Sequence, residues 1–193
     1  MARTNNVNPR LMLDVIASVI KDKYIPADQT KMVEFNTRGK NGSMVCRICV
    51  KDEEVLLCAF DERGNNYRHF PYFLQEEGMV CMCDYILFVE DANSLFVFSI
   101  DLKDSTSGPR QQTLRSKAFA EFIINRIRVV KGKDRFPKDI QYRQIGIKTT
   151  QQKMTTKGFE ESYDPEGYLL LPDYHRFYTR WLMNLQVQKS CNR

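Results

Sequence analysis

Two nearly unbroken apolar runs stand out in the pattern of hydrophobic and polar positions along this 193-residue chain. Both lie within CDYILFVEDANSLFVFSIDLK, residues 83–103, and the polar triplet Asp91-Ala92-Asn93 separates them. Val, Ile, Leu, Phe and Tyr occupy positions of both parities, as strands covered on both faces require. The pattern predicts strands over 84–90 and 94–103 joined by a tight turn.

Upstream, residues 10–24 place Leu11, Val15, Val19 and Ile20 at helical spacing and stop at Ile25-Pro26, which predicts an amphipathic helix. Residues 44–50 and 55–60 read as strands around the acidic turn KDEE. The glycines of loop 37–43 are spaced wrongly for a phosphate-binding fingerprint, so it reads as a connection. DERGNN (61–66) is a turn, and the aromatic stretch 67–74, broken by Pro71, is a loop or edge segment with His69 as a packing residue.

Downstream, a Ser/Gly/Pro loop leads into a helix over 111–128, whose apolar face is read as Leu114, Ala118, Phe122 and residues 123–127. Residues 129–138 form a basic loop, 140–148 alternate as a sheet strand, and 149–158 are polar connection. The last part, 158–193, reads as a hairpin and helix packed on a main domain of 1–157. YDPEGY supplies its turn, 169–171 a short strand, and Asp173 the cap of a closing helix docked by Phe177, Trp181, Leu182 and Leu185. The order of elements predicts an α/β three-layer arrangement, a mixed central sheet flanked by helices.

Composition narrows the class. Apolar residues make up 42% of the chain, with 12 Phe and 9 Tyr, which excludes a disordered chain. No apolar run approaches the length that crosses a membrane, and the first residues lack a signal peptide's apolar stretch. Six cysteines in such a chain read as reduced thiols, and a cytoplasmic location is expected. Cys46 and Cys49, on opposite faces of one strand, with Cys81 and Cys83 are not expected to form a zinc site.

Candidate chemistry sits where charge interrupts the apolar runs. Asp84 opens the first strand; Asp101 and Lys103 close the second, two apart and so on one face. A hairpin returns the end of its second strand to the start of its first, which brings Asp84 beside Asp101. Two converging carboxylates call for a cation, and oxygen donors of this kind suit Mg²⁺ or Mn²⁺, with the Leu102 carbonyl as a third ligand. Lys103 adds a positive charge able to orient a water or stabilise a developing anion.

Asp84, sixteen residues, then Asp101-Leu102-Lys103 resembles the PD-(D/E)xK, restriction-endonuclease-like nuclease superfamily. Within it, CDYILFV…VFSIDLKDS is similar to small bacterial restriction-like proteins, over a quarter of the chain from Val80 to Ile127. Cys83 stands in place of a proline, Asp101 where Glu is commoner, and the upstream acid of many members has no clear counterpart, Asp14 and Glu34 both being unconstrained. The resemblance implies a restriction-endonuclease-like fold and a Mg²⁺-dependent nuclease. Asp84 and Asp101 would hold the metal and Lys103 would activate water, in a defence or repair setting. It also implies that Gln112 and Ser116, on the first turns of the following helix, face the substrate.

Charge distribution agrees with a phosphodiester substrate. Residues 110–157 carry 13 basic and 3 acidic side chains, while 1–109 carry 12 and 16. Arg115, Lys117, Arg126, Lys131, Lys133 and Arg135 are the expected phosphate contacts, with DNA as the expected nucleic acid. Cleavage of both strands would call for a homodimer. The missing upstream acid leaves a second reading open: a catalytically inactive nucleic-acid-binding or protein-docking module of a larger defence or restriction assembly.

Overall fold

The structure, a computed structural model, describes residues 10–34, 44–62, 79–91, 94–103, 110–132, 136–137, 139–148, 162–172 and 175–189. Its elements in chain order are α1 (Arg10–Ala17), β1 (Lys31–Glu34), β2 (Met44–Cys49), β3 (Glu54–Cys58), β4 (Tyr85–Asp91), β5 (Ser94–Lys103), α2 (Arg110–Lys131), β6 (Ile140–Lys148), β7 (Tyr168–Pro172), β8 (Arg176–Tyr178) and α3 (Thr179–Asn184). A single 3-10 turn, Asp22–Tyr24, follows α1.

The apolar runs become β4 and β5, central in a five-stranded sheet of order β3-β4-β5-β6-β7. β3, β4 and β5 pair antiparallel, whereas β5, β6 and β7 run parallel, and α2 makes the crossover from β5 to β6. Both faces of β5 are covered, which is why its sequence shows no alternation. Leu95 and Val97 join a core with Val15 and Ile16 of α1 and Ala120, Ile124 and Ile127 of α2. Phe96, Phe98, Ile100 and Leu102 point the other way, into a core with Met32, Cys46, Ile48, Phe177 and Leu182. Burial of each such side chain stabilises the fold by about 1.5–3 kcal/mol before entropy is counted.

That second core corrects the expectation of one sheet flanked by helices. The layer opposite α1 and α2 is a second, three-stranded sheet of order β1-β2-β8, accompanied by α3. β1 pairs antiparallel with β2, and β8 pairs parallel with it. Strands of four and three residues carry too little alternation to be read from sequence. β8 is extended because β2 lies beside it: the Arg47 N–H donates to the His175 carbonyl at 2.9 Å. In isolation RFYTRWLMN has helical periodicity, so the expected long closing helix shrinks to α3, and its earlier residues 176–178 become β8, in a different sheet from β7. Asp173, the expected cap, lies outside the described residues.

Three further differences are local. α1 stops at Ala17, where the Ser18 hydroxyl donates to the Val15 carbonyl at 2.9 Å. Val19 is left 45% exposed. The buried face of α2 is Thr113, Ser116, Ala120, Ile124 and Ile127, whereas Leu114 and Phe122, read as core, are 42% and 63% exposed. The sheet selects the helix side with small residues in its first half, because these let the backbones approach. The turn before β7 forms as expected: the Gly167 N–H donates to the Asp164 carbonyl at 2.9 Å, with Gly167 at φ 80°. Arg110 at the start of α2 binds Asp164 and Glu166 of this turn, both at 2.5 Å. Loop 37–43, the stretch 67–74 with His69, and 149–158 lie outside the described residues. Among the described residues no helix is long and apolar enough to cross a membrane.

Candidate active site

The open end of the β4–β5 hairpin places Asp84 beside the end of β5. Tyr85 faces Ile100 in the ladder, so one step further Asp84 comes level with Asp101. The two strands share a side-chain parity, with Ile86 and Val97 in the core beneath the helices, so both carboxylates and Lys103 project to the α2 face.

Asp84 takes the place of a backbone partner beyond the end of β4. The Leu102 N–H donates to Asp84 Oδ2 at 2.6 Å, a charge-assisted bond that fixes the carboxylate. The N–H and C=O of one strand residue point to the same side, so the Leu102 carbonyl lies on the same edge of β5 as that N–H. Asp101 is fully buried, and Lys103, with 19% of its side chain exposed, places Nζ 3.2 Å from Asp101 Oδ2.

Burial pushes the Asp84 carboxyl above the usual aspartate range; the Leu102 N–H and the Lys103 charge oppose that, and the Asp61 charge adds to it. Asp61, past the end of β3, reaches Asp84 because β3 pairs with β4 and the Cys58–Ile86 register carries the chain alongside residues 83–84. In the sequence it sits in the turn DERGNN, since only strand pairing brings it near Asp84. Asp14 belongs elsewhere: it is exposed on α1 and its charge acts on Glu90, toward the opposite end of the hairpin. The side chain of Glu34 lies outside the described residues.

The first turns of α2 pack against the same strand ends. Ser116 is buried, and its Oγ accepts the Cys83 N–H at 2.6 Å. That bond accounts for a residue other than proline at 83, because proline has no N–H to give. The Ser116 hydroxyl thus ties the first turns of α2 to the chain entering β4. Gln112 is half-buried, its amide donating to the Met82 carbonyl at 3.4 Å. Burial also pushes the Cys83 thiol far up, which keeps it uncharged beside the two carboxylates.

The expected phosphate contacts are not gathered on one face. Arg115 is exposed, and Lys117, half-buried, lies 4.0 Å from Glu121. At 100° per residue Arg115 and Lys117 are about 160° apart around the helix. Lys131 sits at the far end of α2, about 30 Å along the axis from its start. Lys133 and Arg135 lie outside the described residues.

Among the described residues no group of three or more His, Cys, Asp or Glu side chains is disposed to hold a metal. The oxygen donors described at the hairpin end are the Asp84 and Asp101 carboxylates, with the Leu102 backbone on the neighbouring strand edge. That set fits Mg²⁺, which dehydrates reluctantly and is commonly held by one or two carboxylates with water completing an octahedron. No protein family, no curated protein and no solved structure matches the chain.

Proposed function

We propose that this chain is a metal-dependent nuclease of restriction-endonuclease-like fold that hydrolyses phosphodiester bonds in nucleic acid, with DNA as the expected substrate. One observation carries the reading: Asp84, held by the Leu102 N–H, and the buried Asp101 meet at the end of one hairpin with Lys103 beside them. Burying two neighbouring carboxylates is costly unless a cation or a proton joins them. Asp84, Asp101 and the Leu102 carbonyl would hold Mg²⁺ or Mn²⁺. When bound, such an ion supplies Lewis-acid polarisation of the phosphoryl oxygen and a more acidic water. The Leu102 N–H orients Asp84. Lys103, at the partly exposed rim, positions the attacking water and faces the negative charge that develops on the phosphate.

The test is incubation of the purified chain with plasmid, linear DNA and RNA, in Mg²⁺, in Mn²⁺ and in EDTA. Cleavage that needs a divalent ion and disappears in Asp84→Ala supports the reading. Equal, negligible heats of Mn²⁺ binding in wild type and Asp84→Ala would sink it.

A further inference from the structure

Helix α2 is apolar on two sides, and only one is covered by the sheet. The uncovered side carries Leu114, Phe122 and Val129, exposed by 42, 63 and 72%. At 100° per residue these three and Ala118 fall within an arc of about 80°, interrupted between Phe122 and Val129 by the exposed Asn125. The arc runs into a groove of about 470 Å³ between the C-terminal half of α2 and the chain that follows α1. Tyr24, Phe60, Phe119 and Ile123 line its floor, with Val19 and Val130 at its lips. The floor is already packed: the Phe60 ring lies 5.3 Å from Phe119, edge to face, and 5.4 Å from Tyr24. Large apolar side chains left contiguous on a surface mark interaction sites.

The rim identifies the occupant. Lys21, Arg126 and Lys131 line the same groove, and Arg115 stands further along the exposed arc. Among the described residues none of these four cations takes part in an ion pair, whereas Glu62 and Glu121 nearby are engaged by Lys23 and Lys117. An apolar floor with unneutralised cations at its edge is complementary to an apolar stripe flanked by carboxylates. A second copy of the chain would bring cations against cations. The apolar surface from Leu114 to Val130 extends about 24 Å, far beyond what a small molecule in the groove would cover and close to the length of a 16-residue helix.

We propose that the groove and the outer face of α2 receive an acidic amphipathic helix of a partner protein. Its apolar side chains seat on Phe122, Ile123 and Val130, and its carboxylates meet Lys21, Arg126 and Lys131. This is helix-in-groove recognition, read out at i, i+3 or i+4, and i+7 of the partner. The inference does not rest on the nuclease reading, since the groove lies at the other end of α2 from Asp84.

The test pans a displayed library of random 16-residue peptides against the full chain, then measures the enriched peptide by fluorescence anisotropy. Enrichment of Leu and Phe at helical spacing together with Asp and Glu is expected. Phe122→Asp should weaken the best peptide by about tenfold or more, and Arg126→Glu by about fivefold. Both residues are on the surface, so melting curves should match wild type; Val130→Asp serves if Phe122→Asp does not fold. No enrichment, enrichment indifferent to charge, or affinity unmoved by the apolar variants overturns the proposal. So does a dimer in sedimentation that Phe122→Asp abolishes, which would make the occupant a second copy. Preferential binding to phosphatidylserine/phosphatidylcholine vesicles over the peptide would assign the face to a membrane surface instead.

Discussion

Both ends of the β4–β5 hairpin bury carboxylates, and the surroundings of the two differ. At the open end, Asp84 receives the Leu102 N–H and Asp101 has Lys103 Nζ 3.2 Å away. Toward the turn, Glu90 is 4% exposed and faces another acid, Glu54, directly across the ladder. Burial pushes the Glu90 carboxyl up to about 7; the Leu13 N–H at the start of α1 opposes this, and the charges of Glu54 and Asp14 reinforce it. Donors and a cation aimed at the open end are what a site that works ionised requires. Acids crowded round Glu90 describe a group whose charged form its setting disfavours. Burial alone therefore does not mark a functional carboxylate; what converges on it does.

The largest expected effect separates the ends by activity. Asp84→Ala or Asp101→Ala should reduce cleavage by about a thousandfold or more, because each removes half of the carboxylate charge available to the ion. Glu90→Gln should leave it unchanged. A single-turnover plasmid assay reads all three, and a Glu90 variant as impaired as Asp84→Ala would erase the distinction.

The open end should also be the end that nucleic acid approaches. If Arg115 and Lys117 of α2 touch phosphates together with Lys103, affinity should fall by about fortyfold between about 50 and 200 mM salt. A flat titration by anisotropy would detach the basic helix from the site. Lys103→Ala should retain Mn²⁺ binding by calorimetry yet lose about a hundredfold in rate, as for one preorganised charge. Loss of both would make Lys103 a prop for Asp101 rather than a participant.

Stability sharpens the comparison further. A carboxyl whose folded pKa is raised binds more protons folded than unfolded, so its favourable contribution is present at low pH and is lost as pH rises. For Glu90 that loss spans the interval from the ordinary 4.5 to about 7. Glu90→Gln should thus melt about 3–6 °C above wild type at pH 8 and level with it at pH 4, by calorimetry across the range. Asp84→Asn without divalent ion should show the same sign but a smaller rise, since the Leu102 N–H and Lys103 already oppose the burial cost. Ser116→Ala, which strands the buried Cys83 N–H, should instead destabilise by about 1–3 kcal/mol at every pH.

Local pattern carried far in some regions and failed in others for a physical reason. β5 and β6 are where continuous or alternating apolar residues place them, Ser94–Lys103 and Ile140–Lys148, and α2 differs by at most three residues at either end. The pairing of Asp84 with Asp101 followed from hairpin geometry alone, since a strand that turns back must return to its start. β1 and β8 were not legible, because strands of four and three residues hold their shape through β2 and not through their own periodicity. The facing of α2 is not legible in the sequence because the helix has two apolar sides. Asp61 was invisible because nothing within DERGNN says which strand end it will border.

The sequence by itself determined the buried hairpin, the crossover helix and strand after it, and the convergence of Asp84, Asp101 and Lys103. Each of these is written in periodicities and spacings within a few dozen residues. Only the tertiary structure decided which side of α2 meets the sheet and that the layer behind it is a second sheet. It also decided that Ser116 bonds the Cys83 N–H and that Asp61 stands by the site while Asp14 does not. Those outcomes depend on which surfaces, far apart in the chain, exclude water together most completely, and burial is non-directional until a partner surface supplies the direction.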